Sequence, residues 1–154
     1  MAAQQWTNRL SLAFAAGSLG GLANSLIVWG AGKAGLTAAL GVSIVPQFTP
    51  DWLYPRLVWG GLWGFLFLLP WPGRNFLPWF RRNRALFRGL TYSLLPSAVQ
   101  LFYVFPIRAD RGMLGVSLGA LTPLLVLAFN AVWGVVAVWW WQKGQSAVRK
   151  RWLR

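Results

Sequence analysis

Few side chains in this sequence are equipped for chemistry. Two carboxylates, Asp51 and Asp110, stand against 15 lysines and arginines, and there is neither histidine nor cysteine. Without an imidazole or a thiolate there is no ordinary general base, no sulfur nucleophile and no usual ligand set for zinc, haem or an iron–sulfur cluster. A paired-carboxylate mechanism would have to bring the two aspartates together. Asp110 reads as part of a short polar turn with Arg108 and Arg111, and Asp51 as the N-cap of a helix that follows it. No catalytic residue, metal or cofactor is expected. The absence of cysteine also removes any disulfide.

What remains for binding is a set of three amides embedded in apolar sequence: Asn24, Gln100 and Asn130. Counted at ~1.5 Å per residue from the basic ends of their helices, Gln100 and Asn130 lie about 16 Å deep and Asn24 about 21 Å deep. They can therefore share one layer, with Ser25, Ser97 and Thr122 as neighbours. An unpartnered amide in hydrocarbon is costly, so each must face another helix. Interhelical hydrogen bonding, worth about 0.6 kcal/mol per pair, is the commoner use of such residues. The sharper reading is a polar lining for a small ligand or permeant. No charged residue falls in the middle of an apolar run, which removes the usual carrier of coupled transport or voltage sensing.

The elements that must hold these amides follow from composition. Of 154 residues, 56% are hydrophobic and 11% charged, with 12 Trp and 17 Gly. A water-soluble domain has about 25% charged residues. The pattern is that of an all-α membrane protein forming one transmembrane domain over residues 1–154. Four spans are expected, at about 10–32, 54–71, 89–107 and 113–141. The first rises about 34 Å, enough for a ~30 Å hydrocarbon core and too long for the apolar centre of a secretory signal. The second is barely long enough and calls for local thinning or a tilted neighbour. Pro96 should bend the third, with Ser93 available to a freed carbonyl; the fourth must tilt, bend at Pro123 or project from the bilayer. Residues 34–48 are apolar but too short to cross, so they lie along the surface or dip in against protein.

Small residues recur at a spacing of four: Ala13, Gly17, Gly21 and Ser25 in the first span, Gly60 and Gly64 in the second, Gly115 and Gly119 in the fourth. Such stripes let helices approach closely. They serve packing among the four spans, or docking onto a partner. Most tryptophans fall where interface belts belong, including Trp139, Trp140 and Trp141. Trp59 and Trp63, one helical turn apart, could instead cradle a flat lipophilic ring.

Charge sets the orientation. Residues 73–88 interleave Arg74, Arg81, Arg82, Arg84 and Arg88 with Phe76, Trp79, Phe80 and Phe87, a basic-aromatic interfacial segment between the second and third helices. Nucleic acid would use the same residue types, but the long apolar runs on both sides point to lipid and away from nucleic acid. With the N-terminus, this segment and the C-terminal tail on one side, that side holds eleven of the 15 cations; Lys33, Arg56, Arg108 and Arg111 are on the other. The positive-inside rule then places both termini in the cytoplasm. A bias this strong also argues against assembly as inverted pairs. Arg81, Arg82, Arg84, Arg88, Arg149, Lys150 and Arg151 are the expected contacts to anionic headgroups. The sequence as a whole suggests a non-catalytic accessory or scaffold subunit of a bacterial-type inner membrane, packing against another membrane protein or a second copy. The alternative is a small uncoupled pore or binding module for a neutral or lipophilic molecule, lined by Asn24, Gln100 and Asn130.

Overall fold

The computed structural model describes the backbone of residues 2–70 and 83–152, and side-chain surroundings for residues 3–70 and 83–146. Among the described residues every regular element is helical. Helix α1 runs over Ala2–Lys33 and ends where Gly35, at φ 76°, turns the backbone into the left-handed region that only glycine enters without strain. A short helix α2, Leu36–Ala39, follows.

Helix α3 covers Pro50–Gly64. Its cap is Thr49, not Asp51: the Thr49 hydroxyl accepts from the Trp52 amide at 3.3 Å, with Pro50 at the first helical position, where no amide hydrogen is needed. Asp51 falls inside the first turn, where its charge suits the positive helix end. The helix tightens into a 3-10 stretch at Phe65–Leu68, and the two together rise about 30 Å.

Helix α4, Arg84–Val99, carries Pro96 without breaking and opens into wider π-helical turns over Gln100–Arg108. Ser93 donates to the Leu90 carbonyl at 2.8 Å, away from the carbonyl that Pro96 frees. Helix α5 covers Thr122–Trp152. It does not begin at Met113 as the apolar run suggests. Residues Met113–Leu118 form a 3-10 stretch in which Leu114 and Gly115 have φ of 59° and 70°, and Gly119 follows at 143°. Those angles cannot propagate a right-handed helix. Pro123 therefore sits in the first turn of α5, where its ring is tolerated. Among the described residues three helical stretches, Ala3–Lys33, Arg84–Arg108 and Thr122–Ser146, are long and apolar enough to cross a membrane.

Helix α1 is the centre of the arrangement. It packs against α3 on one side and α5 on another, and α4 packs on α5; α3 and α4 stand at the two ends of this row and are not packed against each other. Neighbours are antiparallel, as the pairing of Gly17 with Gly64 and of Gly21 with Arg56 requires. The core joins Ala13, Ala16, Phe67, Tyr92, Trp133, Ala137, Val138 and Trp141. Trp141, expected at the surface with its two neighbours, is 1% exposed and stacks on Phe67, while Trp139 and Trp140 lie outside. At the opposite end the connections 34–49 and 109–121 meet. The Ser43 amide donates to the Leu118 carbonyl at 2.7 Å, and Thr37 Oγ1 to the Ile44 carbonyl at 2.9 Å. Residues 34–48 thus form part of a cap shared with the later connection.

A candidate binding cleft between α3 and α4

Close approach of backbones positions the site. A Cβ on Gly17 would overlap the Gly60 carbonyl, one on Gly64 the Ala13 carbonyl, and one on Gly21 would stand 2.7 Å from the carbonyl of Arg56. Ala13, Gly17, Gly21, Gly60 and Gly64 are therefore engaged with one another inside this chain. Ser25 returns its hydroxyl to the Gly21 carbonyl at 2.7 Å. Gly115 and Gly119 belong to no helical stripe: Gly115 lies under the Phe105 ring, and Gly119 against Gly41 and Val42 of the cap. A second close contact, Gly89 of α4 on Gly134 of α5, escapes sequence reading. A signal exists on one helix only: Ala85, Gly89 and Ser93 repeat the spacing of four on α4, whereas Gly134 on α5 is flanked at that spacing by Asn130 and Val138.

The three amides come together. Asn24 Nδ2 donates to the Phe129 carbonyl at 2.7 Å and to Asn130 Oδ1 at 3.4 Å, and Asn130 Nδ2 donates to Gln100 Oε1 at 3.2 Å. The chain of bonds joins α1, α5 and the start of the π-helical stretch. It ends on the Gln100 amide nitrogen, which donates to no described residue. Trp133 Nε1 fixes the adjoining wall by donating to the Gly17 carbonyl at 3.0 Å. Of the suggested neighbours, Ser97 bonds within its own helix to the Ser93 carbonyl at 2.7 Å, and Thr122 Oγ1 is buried apart from the network.

These amides do not fill a closed core. They form the floor of a cavity of about 520 Å³ between α3 and α4, with Arg56, Trp59 and Trp63 on one wall and Val99, Tyr103 and Val104 on the other. Trp59 and Tyr103 are 60% and 51% exposed, so the cavity opens outward between them. A second cavity of about 500 Å³ lies beneath the cap, lined by Val28, Ile44, Phe105 and Phe129 among others. Asn24, Arg56 and Gln100 line both.

Arg56 is the residue that sequence reading missed. It stands two positions into the expected second span and counts there only as one of four cations on the less basic side. In the structure its guanidinium lies over the Trp52 ring at 4.5 Å, its Nε is buried without an acceptor, and no described residue hydrogen-bonds to it or pairs with its charge. Arg108 lines the first cavity and Arg111 the second. The wall is therefore rich in donors and cations.

The expected lipid-contacting cations divide. Arg88 donates to the carbonyls of Phe67 and, at 3.3 Å, Leu69, while Tyr92 donates to Leu69 at 3.0 Å. It closes the end of the 3-10 stretch, whose last carbonyls have no helical donor. Arg84 is exposed at the start of α4. Arg81 and Arg82 lie outside the described residues, as do the side chains of Arg149, Lys150 and Arg151. Comparison with protein-family models, with curated proteins and with solved structures returns no match.

Proposed function

We propose that the protein is a non-catalytic membrane-embedded binding module for a lipophilic small molecule, which it takes into the cleft between α3 and α4. The observation that carries this reading is the cleft itself: about 520 Å³, walled by aromatic and aliphatic side chains, with a few convergent polar groups on its floor. Volumes of about 300–1,000 Å³ with that mixture are typical of small-molecule sites. The accessory-subunit reading draws on the glycine stripes, and among the described residues those of α1 and α3 are engaged with each other within the chain. Binding therefore ranks first.

In this proposal the chain crosses the bilayer four times. Helix α3 with its 3-10 extension makes the short second crossing, and both termini lie on the cytoplasmic side of a bacterial-type inner membrane. The antiparallel packing supports it by gathering Arg9, Arg84, Arg88 and Lys143 toward one end of the bundle and Lys33, Arg108 and Arg111 toward the other. The deciding experiment is native mass spectrometry of the protein released from membranes in mild detergent. A bound lipophilic molecule at one per chain is expected, lost when Val99→Trp fills the cleft. Protein free of any bound lipophile, with no change in tryptophan fluorescence across a panel of lipophilic compounds, would refute the proposal.

A further inference from the structure

We infer that the cleft recognises an amphiphile with an oxyanion head, carboxylate or phosphate, held by Arg56 and Gln100 while its chain lies along the aromatic wall. The inference rests on the binding reading above and specifies its ligand.

Arg56 and Gln100 present hydrogen-bond donors that no described residue accepts, and both side chains stand on the wall common to the two cavities. Arg56 is half-buried with its Nε fully enclosed, and withdrawing a guanidinium from water even in part without an anionic partner is unfavourable; the ring of Trp52 at 4.5 Å compensates only part of that cost. Neither of the two carboxylates of the chain pairs with it. The missing partner is an anion supplied from outside the chain. The planar guanidinium matches the two oxygens of a carboxylate or phosphate, and the Gln100 amide adds a further donor. Arg108 and Arg111, one on each cavity, make the local potential positive. The other surfaces, Trp59, Trp63, Val99 and Val104, are largely apolar and suit a hydrocarbon chain. Position favours the same ligand: Gly21 lies against the Arg56 carbonyl, so the backbone carrying the guanidinium is held by the α1–α3 crossing.

The test uses the purified full chain in uncharged detergent at pH 8, with tryptophan fluorescence as the readout. It is titrated with oleate, oleyl alcohol, oleoyl lysophosphatidate and inorganic phosphate. Oleate or the lysophosphatidate should bind at least tenfold more tightly than oleyl alcohol, and the tighter of the two identifies the head as carboxylate or phosphate. Inorganic phosphate at millimolar concentration should not compete. Arg56→Gln should bring the charged ligands to the affinity of the alcohol, and Arg56→Lys, which keeps the charge but not the planar fork, should keep only part of the preference. Equal affinity of the wild-type protein for both charged ligands and the alcohol would overturn the inference and leave the binding reading standing. No response to any of the three amphiphiles would overturn both. Competition by inorganic phosphate would replace the amphiphile with a free anion, and a preference surviving Arg56→Gln would remove Arg56 from the site. The wild-type comparison requires no variant to fold.

Discussion

Asn130 donates its side-chain amide to Gln100 Oε1 at 3.2 Å, tying the first third of α5 to the first residue of the π-helical stretch. The same side chain accepts from Asn24, so it makes two of the interhelical bonds and Gln100 only one. Asn130→Leu should destabilise by about 1.2 kcal/mol and Gln100→Leu by about 0.6 kcal/mol, at the usual strength of such bonds in membranes. The double variant should cost no more than Asn130→Leu alone, because the shared bond is lost once. Reversible unfolding in mixed micelles measures all three, and simple additivity would show that the bond contributes nothing.

Gly17 and Gly30 lie on the same helix in opposite circumstances. A side chain on Gly17 meets the Gly60 carbonyl, whereas nothing lies within 4 Å of a Cβ on Gly30. Gly17→Leu should lower stability by about 2 kcal/mol through overpacking, with membrane insertion unaffected. Gly30→Ala should raise it by about 0.5–1 kcal/mol, since it removes only the helix penalty of glycine. Thermal melting in detergent separates them, and similar melting temperatures for the two variants would contradict the seam.

Arg84 and Arg88 are one helical turn apart and should differ sharply. Arg88→Leu removes the charged donor to the Phe67 and Leu69 carbonyls and should cost about 1.5–3 kcal/mol, the range for hydrogen bonds to charged groups. Arg84→Leu, on an exposed side chain, should stay within about 0.5 kcal/mol of wild type. The same melting assay decides it; equal losses would mean that the clip at the end of α3 is not holding.

The cysteine-free sequence makes topology simple to measure. Ser43 is exposed in the cap and Gln145 is exposed near the basic end of α5. With both termini cytoplasmic, an impermeant thiol reagent added to intact cells should label Ser43→Cys and spare Gln145→Cys. The reverse pattern would invert the orientation.

Much of the fold is legible in the sequence because hydrophobic run length and glycine spacing are local. The apolar segments foretell the helices, and the four-residue stripes from Ala13 and Gly60 meet as a seam. The depth argument brings Asn24, Gln100 and Asn130 into one layer, where they bond. Hydropathy fails at Met113–Leu118, which is apolar enough for a span but carries glycines that turn the chain. It fails again at Arg56 and Trp141. Run length cannot say which face of a helix a residue occupies, so a cation near one end of α3 reads as solvated and a terminal tryptophan as an anchor. The Gly89–Gly134 contact is only half visible: Ala85, Gly89 and Ser93 form a small-residue stripe, but Gly134 has none, and the point where the two helices cross decides the contact.

The gap between α3 and α4 has a frame at both ends, Arg88 and Tyr92 gripping Phe67 and Leu69 at one and Ser43 joined to Leu118 at the other. In the four-crossing arrangement this is a side window giving onto the acyl chains. A guest of the proposed kind would enter there without passing through bulk water, and its occupancy would track its mole fraction among the surrounding lipids, not its aqueous solubility. A modest intrinsic affinity would then be sufficient, because partitioning would already have concentrated the guest at the sill.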